Sequence, residues 1–366
     1  MGYADDLQAL IGRISHALID WDAPLPQARI PTQASSDFLL HKQQGDWAED
    51  LVFRAINENA KHHVAVRYGR SEDLVAGSAG FEQFYREFHE ELSTIGKRPD
   101  LLIFNRSDFD FSLGIDISRI EHRQIAGLVK KAVAGIEVRS SSFLIGKYDA
   151  AAKERSELLE TEALELREHI LQNYRAQLSA PARSHLIPLL ESLTKENTRL
   201  LSFKKPSLRS SEELIALGDA LSRLKTIGKE LQRRDFLSIT PKVEDIKTVY
   251  RWASLHQVPH FYFQVFFDRV FGLPYTRILE LLADPQLEGV KYHIEADEKN
   301  QNKTTIKINS KEGLELAGKV DMPAHESRMK ELSKGRLLFY VTFMGGEAYI
   351  DIQRLAGILG IPAQDL

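Results

Sequence analysis

Pro99-Asp100-Leu101-Leu102-Ile103-Phe104 and, further along, Ala134-Gly135-Ile136-Glu137-Val138-Arg139 are the two stretches whose reading decides the fold. Each is short and apolar, and each reads as a β-strand. Each also carries a carboxylate where a core would take an apolar residue: Asp100 opens the first strand and Glu137 sits inside the second. Carboxylates on two neighbouring strands can converge on a divalent metal. Mg²⁺ is held by one or two carboxylates, with water and substrate phosphate completing its shell, and such an ion assists phosphodiester hydrolysis. Two ordinary strand-end carboxylates give the same pattern, so the rest of the chain has to weigh in.

Working outward, residues 4–20 show helical spacing at Leu7, Leu10, Ile11, Ile14 and Leu18, and the proline-rich stretch 22–36 reads as a linker. A second helix is expected from about 37 to 60, burying Trp47, Leu51, Val52, Ala55 and Ile56, followed by a strand at His63–Tyr68. Residues 70–97 read as loop plus a short helix at Phe81–Leu92. A further strand is expected at Ser112–Ile117 and a short helix near 120–132. From Asp149 to Arg234 charges alternate and leucines recur at helical spacing, which reads as an all-helical insertion. Thr240-Pro241 should open another helix, with Thr as N-cap, and His260–Asp268 is nearly continuous in apolar residues, as a strand buried on both faces would be. Val290–Glu295, Thr304–Asn309 and Leu314–Val320 read as antiparallel strands, the first two joined across 297–303. Leu337–Phe343 and Glu347–Asp351 flank Gly345-Gly346, a hairpin signal. The domain reading is an N-terminal helix and linker (1–36), a core (37–148 and 236–285), the helical insertion (149–235) and a C-terminal β-rich region (286–366).

Composition excludes several classes. With no cysteine there is neither a disulfide nor a thiolate metal site. No run approaches the ~18 apolar residues of a membrane span, and no leader is evident, so a cytoplasmic protein is expected. The net charge of -4 does not mark a general nucleic-acid coat; an enzyme gripping one short site needs only a local basic surface.

With the insertion set aside, the order is helix, strand, strand, strand, helix, strand. That order, with Asp on the second strand and Glu on the third, resembles the PD-(D/E)XK nuclease core, its motif read as Pro99-Asp100 … Glu137-Val138-Arg139. Gly45-Asp46-Trp47-Ala48-Glu49 places an acidic residue where that superfamily's first helix often has one, and Glu137-Val138-Arg139-Ser140-Ser141-Ser142-Phe143 is similar to the third-strand signature of type II restriction endonucleases. Length, helical insertion and the Lys242–Asp268 helix-strand unit resemble the AccI-type family in particular. The fold this implies is α/β (α+β): a restriction-endonuclease-like core with a mixed central sheet, a helical insertion and a C-terminal antiparallel β region.

The resemblance implies a Mg²⁺-dependent prokaryotic enzyme acting on double-stranded DNA as a homodimer, with GT(A/C)(G/T)AC as the AccI-type site. It implies Asp100 and Glu137 as metal ligands, with the Val138 carbonyl and with Glu49 as secondary ligand or water anchor. One position departs: the motif's last residue is normally Lys, and here it is Arg139, which grips phosphate well but cannot readily give up a proton. Lys242, in the first turn of the expected helix, is the candidate replacement, with Lys147 in reserve. Glu244 and Asp245 suit a helix N-terminus on dipole grounds alone, or an outer role around the metal water. Arg98, Arg119, Arg123, Ser140 and Ser141 are candidate DNA contacts, as are Arg67, Arg70, His122 and Lys130-Lys131; any single arginine among them reads as a phosphate contact or a surface charge before it reads as a base reader.

The aromatic run Phe261, Tyr262, Phe263, Phe266 and Phe267 fits core packing better than base stacking. His256 and His260 have a ligand-like spacing that Pro259 breaks. The other readings of the same residues are a structure-specific or repair nuclease, and a DNA-binding protein that has lost catalysis through Arg139.

Overall fold

The structure, a computed structural model, describes residues 2–25, 29–70, 74–297 and 303–366. Parts of the expected linker (26–28), the loop after Arg70 (71–73) and the turn before Lys303 (298–302) lie outside the described residues. The described chain divides into two compact units, Met1–Ile145 with Leu237–Leu366, and Gly146–Phe236.

The first unit is organised by a seven-stranded sheet in the order β1 (His63–Arg67), β2 (Leu101–Asn105), β3 (Ala134–Ser141), β5 (His260–Phe266), β6 (Val270–Pro274), β9 (Leu314–Val320), β12 (Ala348–Ile350). All neighbours are antiparallel except β3 and β5, which run parallel. The sheet is therefore mixed, and the C-terminal stretch that reads as a separate region supplies two of its strands. A second sheet joins β4 (Ser238–Ile239), β8 (Lys303–Asn309) and β7 (Tyr292–Asp297), and a third pairs β10 (Ala324–Glu331) with β11 (Leu337–Met344).

Because side chains alternate along a strand, each sheet face has its own chemistry. On one face Leu101, Ile103, Ile136, Val138, Phe261, Phe263 and Val265 pack with Trp47, Ala48, Leu51, Val52 and Ala55 of α2 (Ser36–Asn59) in one buried cluster. Ser35 caps α2 by accepting the Phe38 N–H at 3.1 Å. Along the other face runs α9 (Val243–His256), whose Trp252 ring would lie 3.2 Å from any Cβ placed on Gly135.

Several elements depart from the sequence expectation. The first helix, α1 (Tyr3–Ile11), is shorter than expected and the chain continues in turns, with Leu18 and Ile19 N–H bonded to Ser15 O, yet Ile14 and Ile19 are still buried. The expected strand at 112–117 is a single bridge, Arg67 to Asp116, after a 3₁₀ turn at Phe111–Leu113. There the carboxylates of Asp110 and Asp116 each accept a nearby N–H at 3.0 Å, favouring turns over a ladder. α9 opens at Val243 with Lys242 as N-cap, because Pro241 O and the Lys242 backbone are engaged by β8 at Ile306 and Thr305. Gly345-Gly346 does not close a hairpin: β11 pairs with β10 and β12 with β9. Its carbonyls instead accept from Trp47 Nε1 and Arg54 Nη2, both at 2.9 Å. The aromatic run on β5 is core, with Phe261, Tyr262, Phe263 and Phe266 all buried.

The second unit is helical, containing most of α5 (Ile145–Asn173), then α6 (Arg175–Leu178), α7 (Leu186–Glu191) and α8 (Glu212–Leu231). It has its own leucine-rich core, including Leu159, Ile170, Leu178, Leu190, Leu217, Leu221, Leu224 and Ile227. Among the described residues no helix is long and apolar enough to cross a membrane.

Candidate active site

Asp100 sits one residue before β2, where β1, β2 and β3 meet. Its carbonyl accepts the Tyr68 and Gly69 N–H at 2.9 and 3.1 Å, and its Oδ2 accepts the Val138 N–H at 2.7 Å. Gly69 is needed here: a Cβ would lie 3.0 Å from Asp100 Cα and 3.2 Å from its Oδ1. The register Leu101↔Ile136 then brings Glu137 beside Asp100. Val138 thus anchors Asp100 through its backbone, while its side chain belongs to the α2-face core.

Glu137 points to the α9 face and is 1% exposed. Its Oε1 meets two cations, Lys97 Nζ in close contact and Arg139 Nη2 at 2.8 Å. Asp245, in the first turn of α9, meets the same two: Oδ2 lies 2.6 Å from Arg139 Nη2 and 3.3 Å from Lys97 Nζ. Glu137 Oε2, Arg139 Nε, Tyr262 Oη and both His260 ring nitrogens are buried without a hydrogen-bond partner among the described residues. Tyr262 faces Glu137 directly across the β3–β5 ladder.

Glu49 and Asp100 line a cleft of about 230 Å³ with Asp46, Arg67, Gly69, Asp116, Ser118 and Arg119. Burial raises the Glu49 carboxyl to about 7, helped by the charges of Asp46 and Glu137. Burial likewise lifts Asp100 well above the usual carboxylate range, reinforced by Glu137 and Glu49. Glu137 moves the other way: burial pushes it up, but Lys97 and Arg139 more than offset that and hold it low. Asp245 is held low on the same balance, burial opposed by Lys97 and Arg139.

Charge accounting shows what this arrangement suits. Four carboxyl groups, Asp100, Glu137, Glu49 and Asp245, share two close cations, Lys97 and Arg139; these pair with Glu137 and Asp245, while Asp100 and Glu49 are left raised by burial and by neighbouring carboxylates. Asp46 and Asp50 are matched by Lys42 and Arg67 at 2.6 Å each. A divalent cation beside Asp100 and Glu49 would take the place of the protons these raised carboxyls hold, and buried Glu137 Oε2 is an oxygen donor of the hard type Mg²⁺ takes. The three candidate ligands do not yet converge: among the described residues, the one acidic or histidine group with ligand atoms all within 4.8 Å is exposed His16, Asp20 and Asp22. Asp20 there serves a turn, accepting the Asp22 and Ala23 N–H.

The remaining sequence candidates scatter. Arg98, expected to meet DNA, is instead buried, held by Glu91 at 2.5 and 2.8 Å and by Ile120 O at 3.2 Å, with its guanidinium over the Tyr68 ring. Arg67 is tied to Asp50 and lies over Phe53. Arg119 is exposed at the cleft, Arg123 is exposed and paired with Glu121 at 2.5 Å, and Ser140 and Ser141 end β3 half-exposed. Lys242 caps α9 near Asp245, while Lys147 belongs to the second unit. Lys97 and the clamping role of Asp245 escaped the sequence reading. The only signal for Lys97 was a lysine two residues before Pro99, and nothing periodic distinguishes it.

Comparison with known proteins identifies the class as restriction endonuclease, a nuclease acting on DNA. The chain belongs to the AccI restriction endonuclease family, whose model matches residues 1–366. No curated protein and no solved structure matches it.

Proposed function

We propose that this chain is a type II restriction endonuclease with a PD-(D/E)XK core, cutting double-stranded DNA at a short, near-palindromic site as a Mg²⁺-dependent homodimer in the prokaryotic cytoplasm. The observation that carries the metal assignment is the group of Asp100, Glu49 and Glu137, in which burial and neighbouring carboxylates raise the first two carboxyls while Lys97 and Arg139 pair with Glu137. Asp100 and Glu137 are the proposed ligands, with Glu49 as a further ligand or water anchor and the Val138 carbonyl as the resemblance implies. When bound, Mg²⁺ supplies the positive charge that polarises a phosphoryl oxygen and makes a water more acidic.

The chain's own residues do the rest. Asp100, fixed by the Val138 N–H, and Glu137, fixed by its strand, orient the reacting phosphate and water. Arg139 stays charged and offsets the charge that develops on the phosphoryl oxygens. Lys242 adds positive charge near Asp245. Hydrolysis puts the water's OH on phosphorus, breaks one bridging P–O bond and leaves the water's other hydrogen on the departing oxygen.

Incubation of unmethylated plasmid with the protein, in Mg²⁺ or in EDTA and alongside Glu137→Ala, tests the reading. Discrete fragments that require Mg²⁺ and vanish in the variant are expected, their ends falling at one sequence, GT(A/C)(G/T)AC on the AccI-type reading. Cleavage only at junctions or damage would replace this with a structure-specific nuclease. DNA binding without cleavage under any divalent metal would leave the non-catalytic reading, with Arg139 as its cause.

A further inference from the structure

The PD-(D/E)XK motif that the sequence resembles ends in a lysine where this chain has Arg139, yet an ammonium stands in the site. Lys97 Nζ and Arg139 Nη2 meet the same two oxygen atoms, Glu137 Oε1 and Asp245 Oδ2. Two heads bonded to the same pair of atoms share one neighbourhood, so Lys97 places its charge where the third-strand residue places its own. We propose that Lys97, delivered from the connection ahead of β2, is the catalytic lysine of this enzyme, and that Asp245 positions it; this rests on the nuclease reading above.

The delivery is built into the backbone. Gly96 adopts a positive φ of 86°, and a Cβ there would lie 2.2 Å from Thr248 O and 2.6 Å from Trp252 N. Only glycine lets the connection lie so close against α9. The Lys97 N–H then donates to Thr248 O at 3.0 Å. On the far side the next residue is locked: Arg98 is forked onto Glu91 and Pro99 fixes the backbone before Asp100. Held at both ends, Lys97 has its side chain four-fifths buried against Glu137 and Asp245. A lysine serving only solubility would not be immobilised so. Its ammonium acts as a positive hydrogen-bond donor to the phosphate oxygens and attacking water. Asp245 keeps it and Arg139 in place without touching the substrate.

The test is the single-turnover cleavage rate at saturating Mg²⁺, with DNA affinity measured separately in Ca²⁺ and folding followed by thermal melting. Lys97→Ala should lower the rate at least about a hundredfold, the scale of losing one transition-state donor, while DNA affinity in Ca²⁺ stays within about threefold. The decisive variant is the double one, Lys97→Ala with Arg139→Lys, which returns a lysine to the third strand. It should recover at least about tenfold of the lost rate. Should Lys97→Ala fail to fold, Lys97→Gln keeps the length and a polar head and carries the same expectation. A Lys97→Ala rate within about threefold of wild type, while Asp100→Ala is inactive, overturns the proposal and leaves the nuclease reading standing. A loss the double variant does not recover, or one explained by weaker DNA binding, overturns it too. Wild-type protein that cuts nothing in Mg²⁺ overturns the nuclease reading and this proposal together.

Discussion

The two faces of one strand pair, β3 and β5, follow opposite rules. Toward α2, Ile136 and Val138 align with Phe261 and Phe263, and all four pack in the apolar cluster with α2. One residue over, toward α9, Glu137 and Arg139 align with Tyr262 and Gln264, and most polar atoms left buried without a partner near the site are theirs or their neighbours'. Apolar burial on the first face stabilises at about 25 cal/mol per Å². Unpartnered buried polar groups on the second cost about 1–3 kcal/mol each. Along β3 and β5 the polar groups are therefore gathered on one face, beside buried apolar residues of α9 such as Val249 and Trp252, and a one-residue change of register would exchange them with the apolar face.

The hardest test of that division is Asp100→Asn. Cleavage should fall at least about a thousandfold, several kcal/mol of lost charge stabilisation. Yet in EDTA the variant should melt higher than wild type at pH 8. Burial and neighbouring charges raise the Asp100 carboxyl in the folded state, so wild type loses stability as pH rises from the unfolded carboxylate value through the folded one. Asparagine escapes that loss and still accepts the Val138 N–H. Ile136→Ala should do the reverse: about 2–5 kcal/mol less stable by denaturant melting, with Mg²⁺ dependence unchanged wherever it remains folded. If both variants lost activity and stability in parallel, the two faces would not be separate.

That separation was legible in the sequence as far as periodicity reaches. Alternation in Ile136-Glu137-Val138-Arg139 marks one apolar and one polar face, and Asp100 and Glu137 do come together. What periodicity does not encode are contacts made from irregular chain. Lys97 lies in a connection whose course depends on how closely Gly96 approaches α9. Asp245 reads as a dipole-favoured first-turn acid until the helix is docked. Strand β10, Ala-His-Glu-Ser-Arg-Met-Lys-Glu, is too polar to announce itself, so Gly345-Gly346 looked like the turn of a hairpin whose true partner lay upstream. Arg98 misled for the converse reason: burial with Glu91 cannot be read from a residue type that is mostly exposed.

Glu49 refines the comparison, since it reaches the polar site from α2, the helix that covers the apolar face. Its carboxyl sits near 7, so at lower pH it is protonated in the folded protein. A cation bound there must displace that proton. Mg²⁺ affinity, read by calorimetry without DNA, should strengthen as pH rises from 6 to 8, with the raised carboxyls of Glu49 and Asp100 both contributing. Glu49→Gln should weaken it about tenfold at pH 8, the lower end for an outer partner of a metal site, and make the pH dependence shallower, leaving the part that Asp100 contributes. An unchanged profile in the variant would remove Glu49 from the site.

The smallest effect concerns where the polar face meets solvent. Arg119 and Arg123 are both exposed arginines on the connection between β2 and β3, but they differ in what holds them. Arg123 is committed to Glu121 at 2.5 Å, while Arg119 lines the cleft with Asp100 and Glu49 and has no ion-pair partner among the described residues. On the proposed nuclease reading, a guanidinium beside these carboxylates would take a backbone phosphate of the bound DNA. Arg119→Ala should therefore weaken DNA binding in Ca²⁺ a few-fold and lower the slope of log affinity against log salt by about one. Arg123→Ala should leave both unchanged, because an exposed ion pair contributes only about 0–1 kcal/mol and its loss uncovers no site. Equal effects from the two would mean that the cleft's rim is ordinary surface, and that the polar face ends at Asp100 without extending to the nucleic acid through Arg119.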